Sequence, residues 1–219
     1  MSIRGTSSYT DCTDHTDHAD RTTRTVRTDR TDAAALPEPV ARAVELATRL
    51  GFAQSCRPEH GRLLQALAAG PAGRIGETGT GCGVGLGWLI AGRRPGVRLV
   101  SVEREVELVH AVRELFADVP DLEVLHGDWT AIHRHGPFDL LVLDGGGNGK
   151  QTAAADPLRL LTPGGTLVVD DLTPLTAWPP TYRGAPDTGR TVWYDHPALL
   201  TTEIRLAPDL STLLATRRP

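Results

Sequence analysis

At 219 residues and 40% hydrophobic content, the chain can bury one good core and hardly two, so one domain plus a tail is the expected organisation. A net charge of -4 and a pI near 6.0 give no general electrostatic footprint for nucleic acid or an anionic membrane, which makes a small-molecule partner the default. Cys12, Cys56 and Cys82 are odd in number and lack metal-like spacing, which argues against a disulfide framework and a zinc site.

Residues 1–32 are dominated by Thr, Asp, Arg and His and contain no Leu, Phe or Trp. Their Thr-Asp repetition reads as a flexible low-complexity tail without a role in chemistry. The N-terminus lacks the apolar centre of a secretion signal, and no apolar run reaches the roughly 18 residues of a membrane span. A cytoplasmic protein is expected.

From Ala33 onward helical and strand patterns alternate, the ordering of a doubly wound α/β domain with a mainly parallel sheet over residues 33–219. Leu36 to Leu50 and Pro58 to Ala69 have helical spacing, with Pro58 suited to a first turn. Arg74 to Thr78 is a strand, followed by a glycine loop and a helix around Leu86 to Ala91. Strand Arg98 to Val102, helix Arg104 to Ala117, and strands Leu122 to His126 and Asp139 to Leu143 come next. A helix over Thr152 to Leu161 leads to strand Thr166 to Val169. Thr202 to Ala207 and Leu210 to Ala215, joined at Pro208-Asp209, read as an antiparallel hairpin completing the sheet.

Ligands in such sheets sit at the carboxyl ends of the strands, so the residues there are the candidates for function. The first strand runs into Glu77-Thr78-Gly79-Thr80-Gly81-Cys82-Gly83, where missing side chains let backbone approach a ligand and turn sharply into a helix. A dinucleotide fingerprint needs a third glycine where Val84 stands. Glu77 would repel a pyrophosphate, but it would attract the cationic end of S-adenosylmethionine, directly or through water. Glu103 ends the next strand, where its carboxylate can accept from both ribose hydroxyls, or simply open the following helix at its positive dipole end. Asp128-Trp129 follows the third strand, an acceptor for an adenine amino group beside a ring that can pack on the base. Asp128 can equally cap a helix there.

The run from Glu77 to Asp128, with the terminal hairpin, resembles the class I S-adenosylmethionine-dependent methyltransferases, which implies a seven-stranded sheet and methyl transfer. Within that superfamily, Pro58-Glu59-His60-Gly61-Arg62-Leu63-Leu64, Asp144 and Leu161-Thr162-Pro163-Gly164-Gly165 before Asp170-Asp171 resemble the catechol and caffeoyl-coenzyme A O-methyltransferases. The resemblance covers about Pro58 to Arg217. It implies cofactor contacts from Gly79, Gly81, Gly83 and Asp144, and a divalent metal held by Asp144, Asp170 and Asp171, whose oxygen-only ligands suit magnesium, manganese or calcium, with Mg2+ the first expectation. The family commonly has Asn where Asp171 stands. It further implies a small hydroxyl acceptor, aromatic or a vicinal diol, and a homodimer formed through helices before Glu77. Read from the residues alone, Asp144 can instead serve the methionine portion, and Asp170 and Asp171 can cap a turn.

Lys150 is the sole lysine among 23 basic residues, and lysine, unlike arginine, can lose its proton when desolvated, which makes it the candidate general base. It stands six residues after Asp144 across Gly145 to Gly149, whereas the family spacing is three. A phosphate-loop reading of Gly149-Lys150 fails because Asp144 replaces the first glycine and Gln151 the hydroxyl residue. Metal-independent methylation of oxygen or nitrogen, and cofactor binding without transfer, are the alternatives. Trp178, Trp193 and Tyr194 either wall the acceptor site or close the core. His60, His133, His135 and His196 receive no role.

Overall fold

A computed structural model describes residues 36–144 and 155–219, apart from the side chain of Asp171. The compact unit spans Leu36–Pro219. Helices α1 (Glu38–Leu50) and α2 (Pro58–Ala68) precede β1 (Arg74–Thr78), α3 (Val84–Gly92), β2 (Arg98–Glu103), α4 (Val106–Leu115) and β3 (Leu122–His126). A 3-10 turn (Trp129–Arg134), β4 (Phe138–Leu143), α5 (Pro157–Leu160) and β5 (Leu161–Leu172) follow. The short strands β6 (Thr181–Tyr182) and β7 (Ala185–Pro186), then α6 (Thr188–Tyr194), β8 (Leu199–Ala207) and β9 (Leu210–Arg217) complete the order.

Seven strands form one sheet in the order β3-β2-β1-β4-β5-β9-β8. The first five are parallel, and β9 runs antiparallel between β5 and β8. The pleat of the strands explains the two cores, because successive side chains face opposite sides. Leu99, Leu140, Val142 and Val168 pack with the buried sides of α1 to α4, whereas Val100, Leu141, Leu143, Val169 and Trp193 form the core on the other face. Helix α2 approaches α3 closely at Gly61, where a Cβ would lie 2.1 Å from the Trp88 indole nitrogen.

The helix expected over 152–161 is shortened. Residues 151–154 lie outside the described residues, and the helix that is described covers Pro157–Leu160 after an Asp156 cap. Leu161 leaves it because it pairs with Phe138 as the first residue of β5, so the strand expected over 166–169 extends to twelve residues. Glycine and proline within Pro163-Gly164-Gly165 hid that continuity, and the register shifts between Phe138 and Leu140 where they fall. The β6–β7 hairpin and α6 were not expected from the sequence. No helix among the described residues is long and apolar enough to cross a membrane.

Candidate active site

The strand order reverses between β1 and β4, and there the carboxyl ends of parallel strands open a crevice. Thr78 is paired with Val102 on one side and Leu143 on the other. The Asp144 backbone N–H donates to the Thr78 carbonyl at 3.1 Å, and the Thr78 hydroxyl donates to the Asp144 carbonyl at 3.1 Å. These bonds tie the ends of β1 and β4 into one floor. Pairing of Leu143 with Val169 then brings Asp144 and Asp170 to adjacent strand ends.

A cavity of about 580 Å3 occupies this position, within the range typical of small-molecule sites. The loop between β1 and α3 forms its base. Gly81 and Gly83 adopt positive φ of 55° and 83°, a conformation available to glycine without the Cβ penalty. A Cβ at Gly81 would also lie 3.1 Å from the Phe52 ring, which lines the cavity from the segment after α1. Bare backbone of Gly79 and Gly81 therefore lines the cavity ahead of α3.

Glu103 closes one side and organises the loop. Its Oε2 accepts from the Gly81 N–H at 2.8 Å, and Oε1 accepts from the N–H groups of Arg104 at 2.7 Å and Glu105 at 3.0 Å. The carboxylate thus orders the backbone before α4 while lining the cavity. Asp128 behaves similarly. Its Oδ1 accepts from the Thr130 N–H at 3.1 Å and hydroxyl at 3.0 Å, capping the 3-10 turn from the cavity wall. Trp129 also lines the cavity and meets His133 edge-on at 5.1 Å.

Glu77 lies under the glycine loop and does not line the cavity. It is 2% exposed; Oε2 accepts from the Ser101 hydroxyl at 2.6 Å, and that hydroxyl is 2.6 Å from the Thr80 hydroxyl. A Cβ at the cavity-lining Gly85 would sit 2.7 Å from Oε1, so only glycine lets this carboxylate approach the start of α3. Burial pushes the Glu77 carboxyl up to about 8, and the negative fields of Asp144, Glu103 and Asp170 push the same way against the Ser101 hydrogen bond. The cavity is therefore surrounded by acids, an environment that favours a cationic ligand.

Sequence reasoning missed Phe52 and Cys56 as cavity residues, because the segment between α1 and α2 carries no motif. It also passed over His60. That histidine is 1% exposed, and its Nδ1 contacts Oδ2 of Asp170 as a buried pair. Of the three acids expected to hold metal, Asp144 and Asp170 line the cavity, while the Asp171 side chain lies outside the described residues. Among the described residues no group of three His, Cys, Asp or Glu side chains is placed to hold a metal ion. Lys150 and Gly145 to Gly149 also lie outside them. Trp193 is buried core at 1% exposure; Trp178 meets Tyr194 edge-on at 5.1 Å, and neither lines this cavity.

No known family profile matches the chain. Over 138 residues it is 33% identical to a Mycobacteroides abscessus protein named "Putative O-methyltransferase", covering 59% of this chain and 64% of that one. A 93-residue stretch is 40% identical to ribosomal RNA small subunit methyltransferase A of Geobacter metallireducens, covering 42% of this chain and 31% of that one. The matches thus span less than two thirds of either relative. The Bacillus cereus O-methyltransferase in complex with SAH superposes with TM-score 0.69 at 18% identity, covering 85% of this chain and 94% of that one. TomG, an O-methyltransferase from Streptomyces achromogenes in complex with SAM, gives 0.66 at 20% identity, with coverages of 83% and 90%. Together with the strand order, these likenesses show that the chain has the class I S-adenosylmethionine-dependent methyltransferase fold.

Proposed function

We propose that the protein transfers a methyl group from S-adenosylmethionine to a hydroxyl of a small molecule. One observation carries the reading: the glycine loop, Glu103 and Asp128 converge on a single cavity at the reversal of strand order. The residues fit the cofactor. Gly79 and Gly81 line the cavity as a bare backbone cradle, whereas Gly83 turns the chain into α3 and faces Phe116 and Val112 of the core; Glu103 and Asp128 offer carboxylate acceptors for ribose and adenine, and Trp129 offers an apolar face. Asp144 supplies negative potential for the methionine end, and Glu77 adds to it once it ionises. S-adenosylmethionine supplies an electrophilic methyl group attached to a sulfonium.

The described residues do not fit the divalent metal that the resemblance implies, because Asp170 is engaged by His60 and buried. No step is therefore assigned to a metal. Lys150 is assigned the acceptor's proton, which leaves a more nucleophilic oxygen beside the cofactor. The net charge of -4 favours a small acceptor over nucleic acid. Exposed Leu36, Val44 and Leu50 at and before the turns of α1 support the expected homodimer.

Calorimetric titration with S-adenosylhomocysteine, followed by mass analysis of products from hydroxylated aromatic acceptors, tests the reading. Binding and a methylated oxygen are expected. A folded protein that binds no cofactor removes the proposal, and binding without transfer to any acceptor reduces it to a cofactor-binding protein.

A further inference from the structure

We infer that His60 takes the place of the divalent cation at Asp170, so that the cavity works without a metal. The inference rests on the methyltransferase reading of the cavity and deepens it. Asp170 is the acid that β5 delivers beside Asp144, the position at which the resemblance places a bridging cation. His60 reaches it from the first turn of α2, and Nδ1 of the imidazole contacts Oδ2 of the carboxylate. Both side chains are enclosed, at 1% and 4% exposure, and the second carboxylate oxygen, Oδ1, is buried as well. Mg2+ dehydrates reluctantly and keeps several waters among its ligands. A carboxylate this buried at the cavity wall, with one oxygen already engaged by an imidazole, is poorly placed to serve such a hydrated ion.

Two contacts keep His60 in place. Its neighbour Gly61 sits so close to Trp88 that a Cβ there would be 2.1 Å from the indole nitrogen, so the missing side chain sets how deeply α2 and His60 reach inward. At the N-cap of α2, Arg57 bonds Asp209 of the β8–β9 turn at 3.0 Å, tying the start of the helix to the same end of the sheet. His60 is thus held as a positioning residue that orients Asp170 at the wall of the cavity.

The test is Mn2+ titration followed by electron paramagnetic resonance on the full chain, with and without S-adenosylhomocysteine. Wild type, His60→Ala, Asp170→Asn and the double variant are compared. Wild type is expected to bind Mn2+ at roughly millimolar strength or weaker, as Asp170→Asn does. His60→Ala is expected to bind at least about tenfold more tightly, a gain lost in the double variant. Tight wild-type binding abolished by Asp170→Asn overturns the inference, as does a folded His60→Ala protein with unchanged Mn2+ affinity. If His60→Ala does not fold, the wild type and Asp170→Asn pair still decides. Cofactor binding in the same samples separates the outcomes: loss of S-adenosylhomocysteine binding by folded wild type sinks the methyltransferase reading, while the Mn2+ series alone judges His60.

Discussion

Glu77 shows how one buried carboxyl links binding to pH. Its folded-state value of about 8 stands above the ordinary 4.5, so between those pH values the folded protein holds a proton that the unfolded chain releases. Stability therefore falls as pH rises through this window. Glu77→Gln should flatten that decline in thermal melts of the cofactor-free protein, leaving the variant more stable than wild type near pH 8. Above about pH 8, where Glu77 carries its charge, the same change should weaken S-adenosylmethionine by about tenfold, because a buried negative charge beneath the loop is gone. An unchanged pH slope would place the proton elsewhere. For Lys150, the argument is chemical selection in an arginine-rich chain. Lys150→Met should lower kcat by about 100-fold or more with S-adenosylhomocysteine affinity unchanged; equal loss of cofactor affinity would show a binding role instead.

Among the elements, the packing of α2 on α3 carries the most weight, since it sets both the glycine loop and His60. Gly61→Ala places a methyl group inside the Trp88 ring, and the helices must part to admit it. Overpacking of this kind costs about 1–3 kcal/mol, to be read from urea unfolding. The displacement should also weaken cofactor binding, which surface substitutions on α2 would leave alone. Strand β5 carries a different lesson. Its apolar centre was legible, but its beginning was not, because Pro163-Gly164-Gly165 signals a turn locally while pairing with β4 keeps Leu161 in the sheet. Arg190 is equally invisible in the pattern, yet it is 3% exposed and joins Asp187 and Glu203, anchoring the segment before β8.

At the scale of the molecule, the described core lies within the compact unit Leu36–Pro219, and residues 1–32 contain no Leu, Phe or Trp. Removing residues 1–35 should leave S-adenosylhomocysteine affinity within about twofold and the melting transition cooperative; a large loss of affinity would give the tail a role in the site. The sequence by itself determined the alternation of strands and helices, the glycine loop and the acids at the strand ends. Each of these follows from local rules: side-chain periodicity, the freedom of glycine, and strand direction. Only the tertiary structure decided that Glu77 lies beneath the loop, that Glu103 bonds Gly81, and that His60 engages Asp170 across 110 positions of chain. Those relations depend on strand register and on how closely two helices can pack, distances that no spacing along the chain encodes.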